Sequence, residues 1–174
     1  MRHQMTPNVQ VECASIEQRI IVENLIQLYV HDFTEYVPMT LRSDGRFEYS
    51  RLPLYWTEVG RHPFIFKADG RLAGFALVKK GSEFSGDESV WEMAEFFVVR
   101  GERGRGVGYA VAANIWRQLT GPWEVRVLPN NVGALHFWST SIARFLDGPV
   151  EPVHVQRGDE SRSLFLFESS PVRQ

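Results

Sequence analysis

The stretch Arg100–Gly108, RGERGRGVG, places three arginines and four glycines in nine residues and runs straight into an alanine-rich apolar segment ending at Trp116. A helix that starts here offers backbone N–H groups without partners and the positive end of its dipole. Glycines remove the side chains that would keep an anion's oxygens away from those groups. The chemistry implied is recognition of a phosphate-bearing ligand. Just upstream, Glu92 and Glu95 lie in the β-rich run VWEMAEFFVV, where a carboxylate can take a proton from a reacting group.

The spacing chooses among phosphate ligands. A P-loop needs GxxxxGK[ST]; Gly101 and Gly106 have that separation, but Val107 stands where the lysine belongs. A dinucleotide fingerprint needs GxGxxG, whereas Gly104, Gly106 and Gly108 are spaced GxGxG. Both nucleotide readings fail.

The turn must be held by a strand before it and a helix after it, and the rest of the chain supplies a sheet for both. Val9–Cys13 alternates as a first strand, and Ser15 suits the cap of a helix from Ile16 toward Pro38, its apolar positions Ile16, Ile20, Leu25, Leu28 and Val30. Residues 39–60 read as an irregular excursion with aromatic anchors. A hairpin follows, turning at Ala68-Asp69-Gly70, then the VWEMAEFFVV strand. Val107–Leu119 has helical spacing and Gly121-Pro122 stops it; Trp123–Leu128 alternates as a strand. A helix capped by Asn130 or Asn131 comes next, and residues 150–156 and 162–168 close the chain as strands. The order describes one α/β domain on a mixed sheet, residues 1–174 with a core at about 8–168.

Arg103–Gly108, RGRGVG, resembles the pyrophosphate-binding signature (Q/R)xxGx(G/A) of the GCN5-related N-acetyltransferase (GNAT) superfamily. One strand later, NVGALHFW is similar to that superfamily's NxxAxxxY segment, with Asn131, Ala134 and Trp138 in register. The order of elements matches along nearly the whole chain. The resemblance implies a mixed, mostly antiparallel sheet of six to seven strands flanked by helices, with acetyl-CoA as donor. Phe96, Phe97 and Val98 would then offer backbone groups to the pantetheine arm. The backbone of Gly104, Arg105, Gly106, Val107, Gly108 and Tyr109 would hold the pyrophosphate, with charge from Arg103 and Arg105. Asn131, Ala134 and Trp138 would close the far side.

Acetyl transfer to an amine needs a neutral amine, a polarised thioester carbonyl and a proton for the departing thiolate. The N–H of Val98 suits the second. For the first, Glu92 and Glu95 are three residues apart and on a regular strand face opposite sides of the sheet, so one of them serves. Position relative to the glycine motif favours Glu92, as in histone-acetylating relatives; nearness to the carbonyl and shared parity with Phe97 favour Glu95, which we prefer. A bulge between them would scramble that parity. Trp138 stands where many relatives keep a tyrosine as general acid, and indole is no acid near neutral pH. Either the thiolate leaves without a dedicated acid, or Tyr109, His136 or a water replaces it, or the protein is a non-catalytic acyl-CoA-binding module on the same fold. Asp32, Glu35, Tyr36, Tyr49, Tyr55 and Trp56 would suit a cationic, partly apolar amine, small molecule or peptide.

The chain has 174 residues, 44% hydrophobic and 13% aromatic, with a formal net charge of −2. That balance makes no case for nucleic-acid or membrane-surface binding. Cys13, the single cysteine, leaves no disulfide and no multi-cysteine metal site, and no metal is expected. No run of about 18 apolar residues and no apolar segment of signal length is present, so the expectation is a cytoplasmic protein. The GNAT superfamily commonly forms dimers, which makes a homodimer a candidate state.

Overall fold

Alternating and continuous apolar strands assemble into one seven-stranded sheet, ordered β1-β2-β3-β4-β5-β7-β6. The structure is a computed structural model and describes residues 7–170. In chain order the elements are β1 Val9–Cys13, α1 Arg19–Phe33, β2 Arg61–Ala68, β3 Arg71–Lys80, β4 Trp91–Val98, α2 Val107–Gln118, β5 Gly121–Val127, α3 Val132–Leu146, β6 Val153–Arg157 and β7 Glu160–Ser169. Every neighbouring pair is antiparallel except β4 and β5. This is the expected mixed, mostly antiparallel sheet with three flanking helices. The two ends of the 1–174 domain reading lie outside the described residues.

Each face of the sheet has its own apolar cluster. On one, α2 and α3 bury Val111, Ile115, Trp116 and Ile142 against Trp123 and Phe165. On the other, α1 and the 39–60 segment cover Ile65, Phe75, Leu77 and Phe97. The β2–β3 hairpin turns at Asp69-Gly70, both at positive φ (51° and 78°), as a two-residue turn that follows the strand twist requires.

Several local expectations are corrected. Helix α1 starts at Arg19, not Ile16: the Ser15 hydroxyl donates to Glu17 (2.7 Å) instead of capping, and the Ser15 N–H donates to Gln18 (2.9 Å) across a preceding turn. Its buried face is Val22, Leu25, Ile26 and Val30, while Ile16, Ile20 and Leu28 are exposed. The true stripe steps by three and four residues, which the Ile16-Ile20-Leu28 set does not sustain. The helix ends at Phe33, well before Pro38. The excursion contains a 3-10 turn, Leu52–Trp56, whose Leu52 and Tyr55 are core residues, and Trp56 Nε1 donates to the Ala14 carbonyl at 2.9 Å. Gly121 and Pro122 begin β5 rather than stand before it.

Candidate active site

Strands β4 and β5 pair only at Trp91↔Trp123 and Glu92↔Glu124 and then part. Strand β4 stays with β3, so closely that a Cβ on Gly74 would run into the Phe97 carbonyl oxygen. The parting leaves the C-terminal end of β4 without a strand partner on its β5 side. A cavity of about 640 Å³ lies there, walled by the N-termini of α2 and α3 and by the C-terminal end of α1.

The α2 side is the glycine turn. Gly104 (φ 73°) and Gly106 (φ 82°) both take the left-handed conformation, and Gly106 is the N-cap, with no side chain capping the helix. A Cβ at either position would meet nothing within 4 Å, so backbone conformation rather than crowding calls for glycine there. Gly108 differs: a Cβ would lie 2.9 Å from the Phe137 ring of α3, so this glycine sets how closely the helices approach. Gly104, Gly106, Gly108 and Tyr109 line the cavity, and the first N–H groups of α2 have no partners within the helix. The turn therefore presents backbone donors that suit a phosphate group.

The expected residues divide. Phe96, Phe97, Val98 and Arg103 line the cavity, but Arg105 turns away to pair with Asp69 (2.7 Å) and Glu102, and Val107 is buried in the α2 core. Only the backbones of Arg105 and Val107 remain available for the role expected of them. On the α3 side, Asn131, Ala134 and Trp138 all line the cavity. The Asn131 side chain accepts from the Ala134 N–H at 3.0 Å, capping its own helix. Trp138 is buried edge-on between Phe96 (5.0 Å) and Phe137 (4.8 Å), a packing role in an aromatic floor. Of the substitutes considered for a general acid, Tyr109 faces the cavity and His136 is exposed outside it.

A bulge overturns the expectation that the two glutamates face opposite sides of the sheet, while Glu95 keeps the face expected from its parity with Phe97. Leu77 pairs with Glu95 but Val78 with Met93, so Ala94 is the extra residue of β4. Met93 and Phe96 therefore face the α2–α3 cluster while Phe97 faces α1, and Glu92 and Glu95 share the α1 face. Their surroundings then separate them. Glu92 is fully buried, with Arg126 Nη2 at 2.8 Å and Lys79 Nζ at 3.4 Å, ionic contacts that lack hydrogen-bond alignment. Glu95 accepts from the Tyr49 hydroxyl at 2.6 Å, and Tyr29 is a second tyrosine beside it. Burial pushes the Glu95 carboxyl above the ordinary glutamate range, against the opposing pull of the two tyrosine hydroxyls.

Neither glutamate lines the cavity directly. Tyr29, a neighbour of Glu95, does. Of the proposed acceptor wall, Asp32, Glu35 and Tyr36 line it, whereas Tyr55 is core and Tyr49 borders a second, smaller cavity under residues 42–53. Tyr29, Arg100 and Phe137 were missed. Tyr29 continues the Val22-Leu25-Ile26 stripe by one turn, a signal hidden by placing the apolar face on Ile16, Ile20 and Leu28.

The sequence model of the Acetyltransferase (GNAT) family matches residues 22–140, more than half of the chain, and the protein belongs to that family. Its general activity is accordingly acetyl-CoA-dependent acyl transfer. Solved structures share the fold at low identity. An acetyltransferase from Thermus thermophilus is 13% identical with a TM-score of 0.67, covering 94% of this chain and 98% of its own. Salmonella typhimurium yncA, solved with its cofactor acetyl-CoA, is 14% identical with a TM-score of 0.59, covering 93% and 94%. NAA60 of Arabidopsis thaliana, in complex with a bisubstrate analogue, is 15% identical with a TM-score of 0.60, covering 94% and 100%. No curated protein sequence matches the chain.

Proposed function

We propose that this protein is an N-acetyltransferase that passes the acetyl group of acetyl-CoA to a primary amine of a small molecule or peptide, by direct attack in a ternary complex. The observation that carries the reading is the uncapped start of α2, its glycines facing a cavity that the parting of β4 and β5 opens. The backbone N–H groups from Gly104 to Tyr109 would hold the pyrophosphate, and Phe96–Val98 would pair with the pantetheine arm. When bound, the coenzyme supplies a thioester carbonyl as electrophile. The Val98 N–H would polarise that carbonyl. Tyr29 and Glu95 would move the amine's proton, Tyr29 touching the cavity and Glu95 accepting behind it. A carboxyl with its pKa raised by burial suits a base working near neutral pH.

One observation favours a second reading, a non-catalytic acyl-CoA-binding module: Trp138 fills the place of the usual acid and is locked in aromatic packing. Calorimetric titration with acetyl-CoA and with coenzyme A, followed by thiol release across an amine library, decides between them. Binding with amine-dependent thiol release supports the enzyme. Binding without release for any amine supports the module. Absence of binding overturns both.

A further inference from the structure

The last turn of α1 brings carboxylates to the cationic rim of the cavity. Asp32 Oδ1 lies 2.7 Å from Arg100 Nη2, and its Oδ2 lies 2.9 Å from Arg103 Nη2. One carboxylate thus engages both cavity-lining guanidiniums beside the glycine turn, and Glu35 lines the same wall. Asp32 and Glu35 together balance the charge of the two arginines. Arg103 is tied down further: its Nε donates to the Val98 carbonyl at 2.7 Å, and its guanidinium lies 5.6 Å from the Phe97 ring centroid. Asp32 therefore helps hold Arg103 across the end of β4, on a carbonyl that strand-like pairing with a ligand would use.

These contacts are exchangeable. The Asp32 side chain is 23% exposed, Arg103 47% and Arg100 72%, and ion pairs this open to water are weak. A ligand that carries several phosphate charges would meet Asp32 as a like charge at close range. Building on the coenzyme reading of this cavity, we propose that Asp32 sets the affinity for acyl-CoA by competing with its phosphate groups for Arg100 and Arg103. The carboxylate is then a restraint on binding, not a scaffold that prepares the arginines for it.

The test is calorimetric titration of the full chain with acetyl-CoA, wild type against Asp32→Asn, at low and high salt. Asparagine keeps the shape and an acceptor oxygen while removing the charge. The expected result is about three- to fivefold tighter binding at low salt, the magnitude of one exposed ion pair, with the gain shrinking as salt screens it. Asp32→Ser, which also removes the charge, should tighten binding in the same direction and guards against an asparagine-specific folding defect. Unchanged or weaker binding by folded variants overturns the proposal while leaving the coenzyme site intact. No binding by the wild type overturns both.

Discussion

The two sides of the cavity follow opposite rules. On the α2 side the helix begins at a left-handed glycine with no side chain across it, leaving donors free. On the α1 and α3 sides the polar groups are engaged within the protein: Asn131 caps α3 and Asp32 holds two arginines, while behind the wall Glu95 of β4 takes the Tyr49 hydroxyl. Free donors on a rigid backbone suit a ligand whose charge never changes. Engaged acid–base groups suit a step in which a proton must be held at one atom and moved. The uncapped start of α2 is stable because the helix buries Val111, Ala112, Ile115 and Trp116, so packing replaces the missing cap.

The sharpest way to break this contrast is to close the open side. Gly106→Asp places a carboxylate against the pyrophosphate and a Cβ at φ 82°, and we expect acetyl-CoA binding to fall below detection in calorimetry. Gly106→Ala separates the two causes. Its Cβ meets nothing within 4 Å, so it should lose about 1–2 kcal/mol of stability through backbone strain and retain measurable binding. Equal loss of binding in both variants would mean that conformation, not charge, governs the turn.

On the engaged side, Glu95→Gln should leave acetyl-CoA affinity within about twofold while slowing amine-dependent thiol release by about a hundredfold or more. The same variant reports the buried carboxyl through stability. Burial raises the folded-state pKa of Glu95 above its unfolded value. Its contribution to stability is therefore full below the ordinary glutamate pKa and is lost as pH rises through the raised value. Glutamine does not titrate, so the variant should gain on the wild type across that window, seen as a rising difference in urea midpoints. A constant difference would place Glu95 in an unshifted environment.

The smallest effect belongs to the capped helix. Asn131→Ala removes the bond to the Ala134 N–H and should cost about 1 kcal/mol, a fall in Tm of about 2–4 °C. Acetyl-CoA affinity should change less than for Gly106→Asp. A loss of binding without a loss of stability would make Asn131 a ligand contact instead of a cap.

What the sequence determined by itself is the part whose geometry is local. Arg103–Gly108 encodes a turn and a helix start in six contiguous residues, and Asn131, Ala134 and Trp138 share one helix face by spacing alone. Asp69-Gly70 encodes its hairpin for the same reason. Tertiary structure decided the rest. The face that Glu95 presents depends on the extra residue at Ala94, which exists only in the register of β4 against β3. Asp32 meets Arg100 from 68 positions away, and Tyr49 reaches Glu95 across 46, so neither partnership leaves a periodic trace. Even the buried face of α1 is only partly legible, Leu25 and Val30 lying inside as expected while Ile16, Ile20 and Leu28 do not, because a helix's inward side is fixed by the sheet it lies on. Backbone conformation is set by neighbours in sequence, whereas the partners of a charge or a hydroxyl are set by whatever the fold brings within reach.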